Sequence, residues 1–248
     1  MTKEEIEKVI NQGKELLLEN NWINEQDFSK FCNNKKIREC IEKCTSPNKN
    51  DIFNAFKLFP LEQTQVLIIG QDPYPAPNNK ADGFAFSQKG QKSAVDSLKN
   101  IFDAVDEYLM NKAKKPLNRE NTALKIWAKN NNVLLLNTVL TYDEKNSFKL
   151  RKEAWQPFIE KIIRNLLSYD SNKLVVFLWG DKAQTLFNNV VYQMCKNKKQ
   201  IIRNLLVLST SHPSNQSYKR GFSVEAPIHF QVCNEFLGNE KAIKWENI

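Results

Sequence analysis

Four short apolar runs, each stopping abruptly at a glycine or a polar residue, constrain the fold of this chain more than any other feature. They are Val66-Leu67-Ile68-Ile69, Val133-Leu134-Leu135-Leu136, Leu174-Val175-Val176-Phe177-Leu178 and Leu205-Leu206-Val207-Leu208. Aliphatic runs of four or five residues read as strands buried on both faces. Helix-like sequence lies between them. Strands that alternate with helices build a parallel sheet, with all carboxyl ends on one side. The predicted class is therefore α/β, a central four-stranded parallel sheet flanked by helices in three α/β/α layers.

The residues just beyond each run carry the chemistry. The first run leads into Gly70-Gln71-Asp72-Pro73-Tyr74, the second into Asn137-Thr138, the third into Trp179-Gly180-Asp181 and the fourth into Ser211-His212-Pro213-Ser214. In an open α/β sheet, ligands bind in the crevice beyond the carboxyl ends of the strands. A carboxylate, an amide and an imidazole gathered at one mouth look like an active site, so Asp72, Asn137 and His212 are expected to converge. Taken singly, each has an ordinary explanation: Asp72-Pro73 as a turn, Asn137 as a turn cap, His212-Pro213 as a loop constraint. Their repetition at successive strand ends favours function.

The chain has 248 residues, enough for one large domain with a sizeable core. No stretch approaches the length of a membrane span, and the start MTKEEIEKVI is acidic and periodic rather than signal-like. A cytoplasmic monomer is expected, nuclear if the source is eukaryotic. The formal charge of +8 points towards a polyanion such as nucleic acid, although the basic residues are dispersed and Lys/Asn richness can reflect base composition.

Five cysteines (Cys32, Cys40, Cys44, Cys195 and Cys233) make an odd count that argues against a disulfide framework, and no CxxC spacing supports a metal. They read as buried small hydrophobes. Only two histidines exist; His229, beside Phe230 in a predicted helix, reads as structural. Of seven glycines, Gly70, Gly83, Gly180 and Gly221 fall at strand ends or their loops, where backbone approaches a ligand. Neither GxGxxG nor a Walker-type loop occurs, which disfavours dinucleotides and nucleoside triphosphates.

Thr2 with Glu5 forms a capping box for a first helix with Ile6, Val9 and Ile10 inward. Further helices are predicted over Glu25–Cys44, briefly over Asp51–Lys57, and over Ser97–Asn111, Thr122–Asn130, Glu153–Ser168, Lys182–Lys196 and Ala226–Leu237. A long loop from Gln71 to about Lys92 contains Pro73, Pro75 and Pro77, and ordered loops of that length are usually functional.

In order along residues 45–245, these stretches resemble the family 1 uracil-DNA glycosylases. Gly70–Tyr74 resembles that family's water-activating loop, Gly83-Phe84-Ala85-Phe86-Ser87 its stacking segment, and Leu134–Thr141 its uracil-reading strand. Val176–Gly180 with Ala183-Gln184 is similar to its glycine-serine loop, and His212-Pro213-Ser214 with Ser217 and Arg220-Gly221-Phe222 to its DNA-intercalation loop. The resemblance implies that uracil-containing DNA, single- or double-stranded, is the partner, and that the base is flipped out and its N-glycosidic bond hydrolysed. Neither metal nor organic cofactor is implied; a proteinaceous inhibitor is a further implied partner.

By the same pattern Asp72 orients a water and stabilises the cationic sugar, while His212 hydrogen-bonds uracil O2. Backbone amides near Gln71 and Asp72 add to this in the manner of an oxyanion hole. Asn137 matches the O4 and N3–H edge, Phe86 stacks on the base, and Tyr74 stands against C5 to refuse thymine. The implied DNA contacts are Ser97, Gly180, Asp181, Ser214, Gln216, Ser217, Tyr218 and Arg220.

Four positions depart from the family pattern. Pro75 stands where the motif has His, which removes a donor. Ser93–Leu98 replaces a proline-rich segment, and its Asp96 has the wrong charge for phosphate. Asp181 replaces Ser and is expected to cap the helix that begins near Lys182. Gln216 takes the place of a wedging Leu, with Tyr218 as a second candidate for that role. All four lie outside the pocket, so active excision with altered duplex grip is the first reading. The alternative is a non-catalytic or weakly active DNA-binding scaffold that keeps the fold.

Overall fold

The computed structural model of the chain describes residues 2–75, 80–90, 93–169, 173–197 and 204–247. Pro77 therefore lies outside the described residues, as does the side chain of Asp96. The four apolar runs are strands β1 (Val66–Gly70), β2 (Val133–Asn137), β3 (Leu174–Trp179) and β4 (Leu205–Thr210). They form one parallel sheet in the order β2-β1-β3-β4. Every residue of β1, β2 and β3 is buried, as expected of parallel strands covered on both faces. Edge strand β4 is only partly covered.

Register places the site. Gly70 pairs with Asn137 and Trp179 with Thr210, so the strands end level and the loops beyond them open at one rim. The helices are α1 (Lys3–Glu19), α2 (Glu25–Cys32), α3 (Lys35–Lys43), α4 (Asp96–Asn111), α5 (Lys125–Asn131), α6 (Phe148–Ser168), α7 (Asp181–Lys196) and α8 (Phe222–Leu237). Among them α4 packs on α8 and α6 on α7, while α7 and α8 both meet β3. Among the described residues no helix is long and apolar enough to cross a membrane.

Several boundaries differ from the sequence expectation, each for a local reason. The helix expected over Glu25–Cys44 is two helices, because Asn33 ends the first and Asn34 caps the second by accepting from the Lys36 amide at 2.9 Å. The short helix expected over Asp51–Lys57 is a pair of 3-10 turns, Lys49–Asp51 and Asn54–Phe56. Helix α6 begins five residues earlier than expected, at Phe148, where the Ser147 hydroxyl accepts from the Leu150 amide. That earlier start puts Arg151 inside a helix rather than in a loop. At the amino terminus both bonds of the Thr2–Glu5 capping box form.

Cys40, Cys44 and Cys233 are buried, and burial pushes the Cys40 and Cys44 thiols up to about 11 and about 12. The small-hydrophobe reading fails for Cys195, which is exposed on α7. His229 is buried with its ring 6.0 Å from that of Phe177, and burial lowers its pKa, so it is neutral.

Candidate active site

The loop after β1 is stitched to the loop after β2. The Gly70 carbonyl accepts from the Thr138 amide at 2.9 Å, and the Gln71 carbonyl accepts from the Val139 amide and the Thr138 hydroxyl at 3.1 and 2.7 Å. These bonds fix where Asp72 leaves the strand. Its carboxylate is mostly buried and accepts from the Arg151 guanidinium at 3.1 Å. Burial raises the Asp72 pKa, against the opposing pull of Arg151, Lys182 and a Gln71 hydrogen bond.

Asn137 closes β2 directly beside Gly70 and is 4% exposed. Its side-chain oxygen is buried without a hydrogen-bond partner in the protein. Such an orphan costs about 1–3 kcal/mol unless a ligand satisfies it. Glycine at position 70 is what leaves room for this amide: a β-carbon there would stand 2.4 Å from the Asn137 oxygen.

The end of β3 meets the loop after β4 in a similar way. Gly180 has φ +95°, and a β-carbon on it would lie 2.8 Å from the His212 β-carbon. Glycine serves both the left-handed backbone and the close approach. His212 Nδ1 accepts the Ser214 amide at 3.0 Å, so in the neutral ring the proton sits on Nε2. Burial first, and then the positive charge of Lys182, lower the His212 pKa and keep it neutral. The imidazole therefore offers an N–H donor and no net charge.

Phe86 is buried with its ring 6.0 Å from His212 and 5.8 Å from Trp179. Its φ of +62° is strained for an aromatic residue, at a cost of about 1–3 kcal/mol. The surroundings hold it there. The Ala85 amide donates to the Leu135 carbonyl, the Ser87 hydroxyl to buried Asp82, and the Tyr74 hydroxyl to the Phe86 carbonyl at 3.2 Å. Tyr74 is anchored in turn by the Ser46 hydroxyl, which donates to its carbonyl at 2.6 Å. Gly70, Gln71, Trp179, Gly180, Asp181, Lys182 and His212 line a cleft of about 180 Å³ between β1, β3 and the loop after β4. Asp181 therefore stands at the cleft rather than outside it, while Asp72, Tyr74, Phe86 and Asn137 are not among its lining residues.

The outer positions divide. Gln216 and Arg220 are exposed on the loop after β4, and Ser214 and Ser217 are half-buried within it. Tyr218 instead packs its ring 6.1 Å from Phe222, against the core, whereas Gln216 is exposed. Ser97 stands half-buried in the first turn of α4. The expected cap by Asp181 is absent: Gly180 occupies the cap position, no side-chain cap bond forms, and Asp181 is exposed as the first residue of α7. Gly180 has no side chain to offer, and Asp181, one residue inside the helix, stands beyond the cap position from which a side chain accepts the N2 or N3 amide.

Three groups escaped the sequence reading. Arg151 reaches Asp72 from 79 positions away. Asn100, buried on α4, donates to the Pro213 carbonyl at 2.6 Å and to the Asn215 side chain at 2.9 Å, and so braces the His212 loop. Lys182 lies over the Phe148 ring at 4.0 Å and projects its charge on both Asp72 and His212. Only the Ser147 cap, which starts α6 early, left a trace of the first in the sequence.

Comparison with known proteins adds an independent line. Residues 56–238 match the family model of the uracil DNA glycosylase superfamily. The uracil-DNA glycosylase of Blochmanniella floridana is 36% identical over 208 residues, covering 82% of this chain and 85% of the relative. That of Clostridium perfringens is 33% identical over 242 residues, covering 92% of this chain and 96% of its own length. A crystal structure of a mimivirus UNG variant in complex with UGI superposes with a TM-score of 0.68 at 22% identity, covering 94% of this chain and 87% of that one. At that identity the likeness speaks for the fold.

Proposed function

The chain belongs to the uracil DNA glycosylase superfamily, as a family 1 member and a DNA repair hydrolase of N-glycosidic bonds, and from that premise we propose how its strand ends perform the reaction. One observation carries the assignment of roles: the buried, unpartnered amide oxygen of Asn137, housed by the missing β-carbon of Gly70. An orphan acceptor beside amide donors fits the N3–H and O4 pair of uracil. Cytosine presents the opposite pattern and leaves the amide unpaired, at about 1–3 kcal/mol per group.

The base leaves the helical stack and lies against Phe86, whose strained backbone presents the ring face. As the N1–C1′ bond breaks, its electron pair moves to uracil and positive charge collects on the sugar. Ionised Asp72 stabilises that charge and orients the water. The water oxygen bonds to C1′ as its proton passes to the Asp72 carboxylate, while the uracil anion leaves with the electron pair. His212 donates from Nε2 to O2, where negative charge builds, and backbone amides near Gln71 and Asp72 add to the same field. A neutral donor suits this task, since an imidazolium would have to be desolvated in the cleft.

Tyr74 is assigned the exclusion of thymine. Tyr74→Ala should give measurable thymine release where the wild-type protein gives none. Tyr74→Phe keeps the wall, loses one hydrogen bond worth about 1 kcal/mol, and should still refuse thymine. Thymine release by the Phe variant would contradict this role.

Duplex grip is proposed to be weak. Gln216 is exposed where the family inserts Leu, and exposed Asp181 adds a negative charge at the cleft, unfavourable for a nearby phosphate. Excision is expected to favour single strands, which avoid most of the unstacking cost. Gln216→Leu should raise duplex activity about fivefold, the equivalent of roughly 1 kcal/mol of added apolar burial. A wild-type preference for duplex would overturn the proposal. The protein acts on this reading as a monomer, and a proteinaceous inhibitor of the UGI kind is an expected partner. The overall reading is tested by incubation with a uracil oligonucleotide, free uracil and alkali-labile sites being the expected products.

A further inference from the structure

We propose that Arg151 is the positioning residue of the Asp72 carboxylate, a fixed donor supplied from the first turn of α6. The inference rests on the glycosylase role given to Asp72 and concerns a residue outside every motif that carries the family resemblance. Arg151 Nη1 donates to Asp72 Oδ2 at 3.1 Å and to the Thr141 carbonyl at 3.0 Å. Its Nε donates to the Asn146 carbonyl at 3.3 Å, and the guanidinium lies 4.7 Å from the centre of the Tyr142 ring. Two carbonyls and an aromatic face therefore hold the planar fork in place independently of Asp72. Thr141 is itself tied down by the Trp155 indole, which donates to its hydroxyl at 2.8 Å.

This arrangement has a cost that a purely structural role does not explain. The Arg151 side chain is 5% exposed, and burying a cation is unfavourable unless a partner compensates. Tying the loop over residues 141–146 to α6 needs no charge, since a neutral amide could serve the carbonyls. Among the described residues the carboxylate in ion-pair contact with that charge is Asp72, whose own burial disfavours ionisation. A carboxylate that must be ionised beside a forming cation gains from a fixed countercharge behind it. With Oδ2 engaged by a rigid donor, rotation of the carboxyl group is arrested and its aim at the water is set. Lysine cannot reproduce the geometry, because one ammonium on a flexible stem lacks the fork.

Single-turnover excision from a uracil oligonucleotide, measured across pH, tests the proposal. Arg151→Gln should lower the rate about 10- to 100-fold, the scale of a misplaced reacting group, with DNA affinity kept and the acid limb of the profile moved to higher pH. Arg151→Lys should keep the acid limb, since it keeps the charge, and lose several-fold in rate. A folded Arg151→Gln variant with wild-type rate and acid limb overturns the proposal. Should that variant not fold, full wild-type rate in Arg151→Lys overturns it instead. Titration of the Asp72 carboxyl by carbon NMR, assigned against Asp72→Asn, needs no turnover: an unmoved titration in Arg151→Gln counts against the proposal. Failure of the wild-type protein to release uracil would sink the glycosylase role of Asp72, a result distinct from these.

Discussion

Asp72→Asn is expected to lower the rate of uracil excision by about 10²- to 10⁴-fold and to leave affinity for uracil-containing DNA nearly unchanged. Asparagine keeps the shape and an oxygen for Arg151 but loses the charge that faces the sugar. Two opposing effects of burial act on the stability of this variant at pH 7. Asp72 has its pKa raised in the folded protein, so the fold binds the proton more tightly than the unfolded chain does. That contribution is fully present below the ordinary carboxylate range and is lost as pH rises through the raised value. At pH 7 the neutral amide relieves the burial cost of an ionised Asp72 but leaves the buried Arg151 cation without its countercharge. Loss of one partner of a buried pair is the larger effect, so a lowered Tm alongside lost excision is the expected pair of measurements. Near-wild-type turnover in Asp72→Asn would remove Asp72 from the mechanism.

Gly70→Ala is expected to be nearly as damaging, although it adds one methyl group and touches no reacting atom. The new carbon would stand 2.4 Å from the Asn137 oxygen and 2.8 Å from the Ala85 β-carbon. Neither distance is tolerable, and β1 is pinned on both sides by β2 and β3. The Asn137 amide is the group with freedom to yield, and its displacement removes the uracil-reading edge. A loss of about 10²-fold in kcat/KM is expected, in line with an ångström-scale misplacement at a reacting site. Overpacking of this kind costs about 1–3 kcal/mol of stability. Circular dichroism should therefore show a folded protein with a lowered Tm, while kcat/KM for uracil release is measured against wild type. Wild-type kcat/KM in this variant would show that Asn137 does not depend on the space beside Gly70.

Both results depend on which parts of the molecule were legible in advance. Aliphatic runs of four to six residues cannot sit in water, and helical stretches between them leave a parallel sheet as the way to bury them. The order of residues alone therefore determined the strands, the common rim and the presence of Asp72, Asn137 and His212 along it. Helix edges were less legible, because Asn34 and Ser147 act through single capping bonds that a hydrophobic pattern does not register.

Tertiary structure alone decided the rest. Arg151 meets Asp72 because the early start of α6 and the carbonyls of Thr141 and Asn146 direct its fork, and no spacing in the chain announces a contact between such distant positions. Asn100 reaches the His212 loop only because α4 packs against α8. Local periodicity reports which side of an element faces inward. Which partner waits there is set by long-range packing, and the electrostatics of buried groups are set by that packing too.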